Sequence, residues 1–131
     1  MKKIGLYPIV GDCLHAGHIL AMKEAKENCD YLIVAVNAKP EHKEPIQSIF
    51  ERFVQLNAVK YIDELIPYQG KEDLELLCSS VKHDVRFVGS DYVGKDFDGK
   101  QIEKDLNIET YYLSRNHTMS STNLKQRIKE S

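Results

Sequence analysis

The sequence predicts a single α/β domain built on a doubly wound parallel sheet, and three observations carry that prediction. Short, strongly apolar runs recur along the chain, as in Tyr31–Val36 (YLIVAV), the pattern of strands covered on both faces. Between them lie segments whose apolar positions return every three or four residues, as on one face of a helix. Turn and cap residues separate the two kinds of segment. The 131 residues match a domain size of about 100–150. A chain of about 150 residues buries roughly 68–70% of its unfolded surface, enough for one core.

In order, Ile4–Val10 reads as the first strand. Ile19, Leu20, Met22 and Ala25 mark the first helix, which reaches Lys26, and Tyr31–Val36 is the second strand. This βαβ unit favours a right-handed crossover. Asn37–Pro45 (NAKPEHKEP), polar and holding two prolines, reads as a loop. Ser48–Tyr61 is predicted helical: Ser48 and Glu51 have capping-box spacing, and Ile49, Phe50, Phe53, Leu56 and Val59 are its expected buried stripe. Glu64–Pro67 is a short strand, Asp73–Val81 a helix and Val85–Val88 a strand ending at Gly89; a glycine-spaced loop, SDYVGKDFDGK, follows. Thr110–Leu113 is the last strand and Ser121–Lys129 the last helix. The alternation gives a Rossmann-like, doubly wound parallel sheet of about five strands, residues 1–131 forming one domain, with ligands expected at the carboxyl ends of the strands.

Composition narrows the function. A net charge of −2 offers no field to attract nucleic acid or an anionic membrane. Three widely spaced cysteines, Cys13, Cys29 and Cys78, argue against a disulfide framework and for a reducing compartment. The opening MKKIGLYPIVGDC is broken by Pro8 and Asp12, too early for a signal peptide, and no run approaches the ~20 apolar residues of a membrane span. The expectation is a cytoplasmic protein without nucleic-acid or membrane partners.

Residues 11–19, GDCLHAGHI, carry the first chemical signal. His15 and His18 fall where the first strand gives way to the first helix. Free amides and the helix dipole favour an anion there, phosphate above all. Residues i and i+3 share a helix face, so both imidazoles can address one ligand. Gly17 leaves room for a phosphate to approach the backbone. Two donors converging on a phosphoryl group stabilise the charge that develops on it. A lone histidine at this point would ordinarily be structural. A zinc site is the other alternative, but zincin motifs place histidines four apart with a glutamate, and Cys13 has no evident partner; no metal ligands are predicted.

HAGH resembles the HxGH signature of the nucleotidyltransferase superfamily. Asp12, three residues before His15, fits the cytidylyltransferase pattern GTFDxxHxGH, with Ile9-Val10-Gly11 where that family has Gly-Thr-Phe. Near the other end, SRNHTMSST (residues 114–122) resembles the RTxGxSTT motif of cytidylyltransferases acting on glycerol 3-phosphate, phosphocholine or phosphoethanolamine. Arg115 falls on the motif arginine, and Ser120, Ser121 and Thr122 on the STT run. Asn116 and Thr118 replace its threonine and glycine. Hydroxyls and amides at a helix start suit triphosphate oxygens, and an arginine fork suits phosphates; a run such as SST also serves as a plain helix cap.

The resemblance extends through the middle of the chain. Phe50-Glu51-Arg52 is similar to a family helix whose arginine lies in the active site, Lys43 falls on a family lysine that contacts phosphates, and Asp63 on a strand-edge aspartate. VGSDYVGK (residues 88–95) resembles GDDWEGK, with Asp91 and Tyr92 on its second aspartate and its tryptophan. What this implies is a cytidylyltransferase similar to the glycerol-3-phosphate enzymes. His15, His18 and Arg115 would be catalytic. Val10, Gly11, Asp12, Ala16, Gly17, Lys43, Arg52, Asp91, Tyr92, Ser120, Ser121 and Thr122 would bind nucleotide, with Asp12 orienting a histidine or a magnesium-bound water. CTP, carrying Mg²⁺, and a small phosphorylated alcohol would be the substrates, and the enzyme would be a homodimer. An adenylyltransferase acting on a sugar phosphate with ATP, and a non-catalytic nucleotide-binding module, are the alternatives.

Overall fold

A computed structural model describes residues 2–114, together with 126, 128 and 129. Five parallel strands among them form one sheet: β1 (Ile4–Ile9), β2 (Tyr31–Asn37), β3 (Glu64–Tyr68), β4 (Val85–Gly89) and β5 (Glu109–Leu113), in the order β3-β2-β1-β4-β5. The connecting helices are α1 (Ala16–Glu27), α2 (Ile49–Asn57), α3 (Gly70–Ser80) and α4 (Lys100–Asp105), and a 3-10 turn occupies Ser90–Tyr92. No helix among the described residues is long and apolar enough to cross a membrane.

β2 shows why the sheet needs helices on both sides. Leu32, Val34 and Val36 enter one core with Met22, Leu56 and Phe87, while Ile33 and Ala35 enter the other with Leu6, Leu74 and Cys78. The period of two in a strand sends successive side chains to opposite faces, so an unbroken apolar run has two faces to bury. α2 carries the predicted capping box, with Ser48 Oγ accepting from the Glu51 amide and Glu51 from the Ser48 amide, both at 3.1 Å.

The structure departs from expectation in three elements. α2 ends at Asn57, because the Ala58 amide closes on the carbonyls of Gln55 and Leu56 and the chain turns there; Phe50, expected in its buried stripe, faces outward, while Leu56 is buried. α3 begins at Gly70, and the Asp73 carboxylate accepts from the Gln69 amide at 2.8 Å, supporting the helix start from within the first turn. The stretch expected as a plain loop holds the 3-10 turn and α4, whose six residues are too few to show a period. Of the last predicted helix, Gln126, Ile128 and Lys129 are helical, and the rest lies outside the described residues.

The sheet opens at its carboxyl end, on a proline. β1 pairs with β2 from Ile4 to Ile9 but with β4 only at Gly5 and Leu6. The Lys3 carbonyl accepts from Tyr31 on the β2 side and the Ile4 carbonyl from Asp84 on the β4 side, so even-numbered residues turn their backbone polar groups towards β4. Pro8 is the even-numbered residue with no N–H to give. A proline in a central strand is tolerated here because the ladder to β4 has already ended. The chain order also reverses between β1 and β4, the switch point where a doubly wound sheet forms its ligand crevice.

Candidate active site

The turn from β1 into α1 is held from outside itself. Gly11 and Cys13 both have positive φ, 71° and 51°, which folds the chain sharply. The Asp12 carboxylate, 2% exposed, accepts from the amides of Ile46 (3.0 Å) and Gln47 (2.9 Å), and the Gln47 side chain accepts from the Cys13 amide at 2.9 Å. Arg52 completes the tie. Also 2% exposed, it donates through Nη1 to the carbonyls of Val10 (2.8 Å) and Asn37 (2.7 Å), through Nε to Gln47 and through Nη2 to Ala38. The ends of β1 and β2 and the entry to α2 are thereby fixed together.

On this base the two histidines build a capping box of their own. His15 is the N-cap of α1, and its Nδ1 accepts from the Gly17 amide at 2.9 Å. His18 Nδ1 accepts from the His15 amide at 3.2 Å. The ring centroids are 4.0 Å apart. A ring nitrogen that accepts carries no proton, so each neutral imidazole holds its proton on Nε2. Burial, then the neighbouring His15 and Lys43, pushes His18 down to about 4 against the pull of Asp12. His18 is therefore an uncharged N–H donor at the positive end of a 12-residue helix, with the His15 ring beside it.

In the opening between β1 and β4 lies a cavity of about 480 Å3. Val10 borders it just past the end of β1, Asp91 and Tyr92 from the 3-10 turn, and Arg86 from β4. A second cavity of about 460 Å3 is bordered by Lys43, Asn37 and Lys71.

The predicted residues sort as follows. His15, His18, Ala16 and Gly17 meet at the start of α1, Gly11 and Asp12 lie in the turn that carries them, and Lys43 is near enough for its charge to act on His18. Val10, Asp91 and Tyr92 share the larger cavity. For Arg52 and Asp12 the geometry differs from expectation. All three guanidinium nitrogens of Arg52 are engaged by main-chain carbonyls, and both carboxylate oxygens of Asp12 accept main-chain amides, so the two fix the loops; His18 accepts from the His15 amide and His15 from the Gly17 amide. Asp63 binds Lys26 Nζ at 2.6 Å and the Leu32 amide at 2.8 Å, at the amino end of β3 and away from the cleft. Arg115, Ser120, Ser121 and Thr122 lie outside the described residues. Among the described residues no three His, Cys, Asp or Glu side chains gather to hold a metal.

Arg86 was not anticipated. It is 4% exposed in the middle of β4 and pairs with buried Glu103 of α4 at 2.9 Å. A charge inside the apolar run VRFV was the available signal, since arginine is rarely buried without a partner.

A family model described as cytidylyltransferase-like matches residues 11–127. A glycerol-3-phosphate cytidylyltransferase of Bacillus subtilis (strain 168) is 34% identical over 133 residues, covering 98% of this chain and 98% of that protein. One of Staphylococcus aureus (strain NCTC 8325 / PS 47) is 33% identical, covering 98% and 96%. The bifunctional protein HldE of Campylobacter concisus (strain 13826) is 30% identical over 91% of this chain, which spans 25% of that protein. Among solved structures, a lipopolysaccharide core biosynthesis protein from Thermoplasma volcanium GSS1 superposes with a TM-score of 0.71 at 23% identity, covering 89% of this chain and all of that one, a likeness of fold. The parallel sheet, the opening at its switch point and these matches define a nucleotidyltransferase. The chain belongs to the cytidylyltransferase-like family.

The capping box makes a direct prediction about protonation. In a ¹⁵N NMR titration His18 is expected to stay neutral, with its proton on Nε2, as pH falls to about 4. Its folded value lies below the unfolded 6.5, so the unfolded chain takes the proton first. The stability linked to His18 is full above pH 6.5 and is lost as pH falls towards about 4. Titration near 6.5, or a proton on Nδ1, would contradict the hydrogen-bond pattern.

Proposed function

We propose that the protein transfers CMP from CTP to a small phosphorylated alcohol, glycerol 3-phosphate, giving a CDP-alcohol and pyrophosphate. The observation that carries this reading is the histidine pair at the start of α1, each Nδ1 accepting a main-chain amide and His18 held neutral, in a chain about a third identical, over nearly its whole length, to two glycerol-3-phosphate cytidylyltransferases.

A phosphate oxygen of the acceptor attacks the α-phosphorus of CTP. The new P–O bond forms as the bond to the β-phosphate oxygen breaks, and pyrophosphate leaves with that electron pair. Charge accumulates on the non-bridging α-oxygens, where the Nε2–H donors of His15 and His18 and the amides at the start of α1 act most strongly. A neutral donor suits this work, because it stabilises the developing charge without first having to gain or lose a proton. No covalent nucleophile is needed; positioning and charge stabilisation supply the rate. Arg115, Ser120, Ser121, Thr122 and Lys43 hold the β- and γ-phosphates in this reading. Magnesium arrives on the nucleotide, consistent with an ion carried largely by substrate phosphates and water. The protein works as a cytoplasmic homodimer, and Ile46 with Phe50 and Val54, one turn apart on α2, supplies an exposed apolar face for pairing, Phe50 being 74% exposed. Sedimentation equilibrium at micromolar concentration is expected to show a dimer that Phe50→Glu dissociates; a wild-type monomer would remove this part of the proposal.

One second reading is kept, an adenylyltransferase acting with ATP on a sugar phosphate, because HAGH and the following YLIVAVN also resemble such enzymes. Pyrophosphate release separates the two. With magnesium, CTP and ATP are each offered glycerol 3-phosphate, phosphocholine, phosphoethanolamine and hexose phosphates. Release is expected with CTP and glycerol 3-phosphate. Release with ATP alone would move the protein to the second reading. Tight nucleotide binding with no release from any pair would make it a binding module.

A further inference from the structure

The guanidinium of Arg86 is placed for more than a structural ion pair. All three of its hydrogen bonds leave from Nη1, to Glu103 Oε1 (2.9 Å), the Asp98 carbonyl (3.1 Å) and Cys78 Sγ (3.5 Å). Among the described residues Nε is buried with no partner, and no hydrogen bond leaves Nη2. The Nε–Nη2 edge is the fork with which arginine reads two oxygens at once. The side chain is only 5% exposed, and it borders the cavity between β1 and β4. A buried donor left unpaired is costly, and a fork of donors beside a cavity is satisfied by whatever fills it.

The surroundings hold that fork still. Glu103 is gripped through its other oxygen by His83 Nε2 at 2.6 Å, and His83 Nδ1–H donates to the Val81 carbonyl at 2.7 Å. The Phe97 ring lies against the guanidinium, 4.9 Å from centroid to Cζ. Gly99 has φ 88°, and a Cβ there would fall 2.6 Å from Cys78 Sγ and 3.4 Å from Arg86 Nη1. The chain leading into α4 is therefore laid directly on the arginine, leaving no slack for it to turn away.

Resting on the transferase reading above, we propose that Arg86 is the acceptor-specificity residue, its Nε–Nη2 fork receiving the two neighbouring hydroxyls at the non-reacting end of a phosphorylated polyol. Charge selects hydroxyls over a second anion. Glu103 already neutralises Arg86, and Asp91, Asp96 and Asp98 border the same cavity. An anionic group would face these three carboxylates, whereas a hydroxyl accepts from the fork and can donate to a carboxylate. A site built to hydrogen-bond hydroxyls discriminates strongly against an analogue that lacks one.

The test pairs two readouts. Arg86→Lys keeps a cation opposite Glu103 and removes the fork. With CTP, this variant is expected to raise KM for glycerol 3-phosphate by roughly tenfold to a hundredfold, while kcat and the KM for 3-hydroxypropyl phosphate, which lacks the neighbouring hydroxyl, stay near wild type. An equal rise for both acceptors, or none for either, would overturn the assignment. The second readout needs no turnover: the Arg86 Nε–H resonance of ¹⁵N-labelled protein, identified by its loss in Arg86→Lys, is followed during titration with each acceptor. It is expected to move with glycerol 3-phosphate and much less with 3-hydroxypropyl phosphate or phosphoethanolamine. A resonance that millimolar glycerol 3-phosphate leaves in place, or that 3-phosphoglycerate moves at lower concentration, would overturn the hydroxyl assignment. A moving resonance without pyrophosphate release would instead sink the transferase reading and leave the Arg86 site standing.

Discussion

The clasp formed by Asp12 and Arg52 is the interaction on which the rest of the site depends. Two oppositely charged side chains, each 2% exposed, spend their hydrogen bonds on the main chain. The carboxylate takes the amides of Ile46 and Gln47, and the guanidinium takes carbonyls from the ends of β1 and β2 and the entry to α2. Buried charges are tolerated when every polar atom is met in this way. The turn after β1 needs positive φ at Gly11 and Cys13, a conformation that survives when its surroundings over-determine it. With the turn fixed, His15 stands as the N-cap of α1, and the histidine capping box follows from it. The backbone thus sets the ring orientation of the pair, and burial at this turn keeps His18 neutral.

A second constraint shapes the space beside the pair. Pro8 cannot donate towards β4, the ladder between β1 and β4 stops at Leu6, and the sheet parts where its chain order reverses. One strand thereby leads to both halves of the site: its end leads into the turn that carries the histidines, and its missing hydrogen bond accompanies the opening of the cavity. Arg86 lies across that opening on β4, held from behind by α4. The histidine turn and the cavity between β1 and β4 are served by different faces of the same sheet, so under the proposed function acceptor selectivity is separable from the histidines, through α4 and its approach.

Legibility in the sequence followed the range of the interactions. The apolar runs and capping boxes are local, so all five strands and the first three helices could be read, with shifts at their ends. GDCLHAGHI spans a single turn, and its histidines do sit together at the start of α1. Arg52 could be picked out as a residue, but its carbonyl partners come from three separate segments that only folding assembles. Arg86 stood in view inside VRFV, while its partner Glu103 lies 17 positions on, in a helix of six residues with no periodic signal. Pro8 would argue against a central strand by rule, and only the sheet register shows why the strand tolerates it.

The central claim, that His18 acts as a neutral Nε2–H donor fixed by its own backbone cap, is tested most directly by comparing two substitutions. In His18→Asn the side-chain oxygen can stand near the place of Nδ1 and keep the bond from the His15 amide, while the Nε2–H donor is gone. In His18→Ala both are gone. The account predicts that kcat falls by about 10²–10³ in both, the loss typical of one transition-state donor. It also predicts that the alanine variant alone loses roughly 0.5–2 kcal/mol of stability, as for a deleted cap. Near-normal turnover in the asparagine variant would contradict the account, because the histidine would then be a structural cap and nothing more.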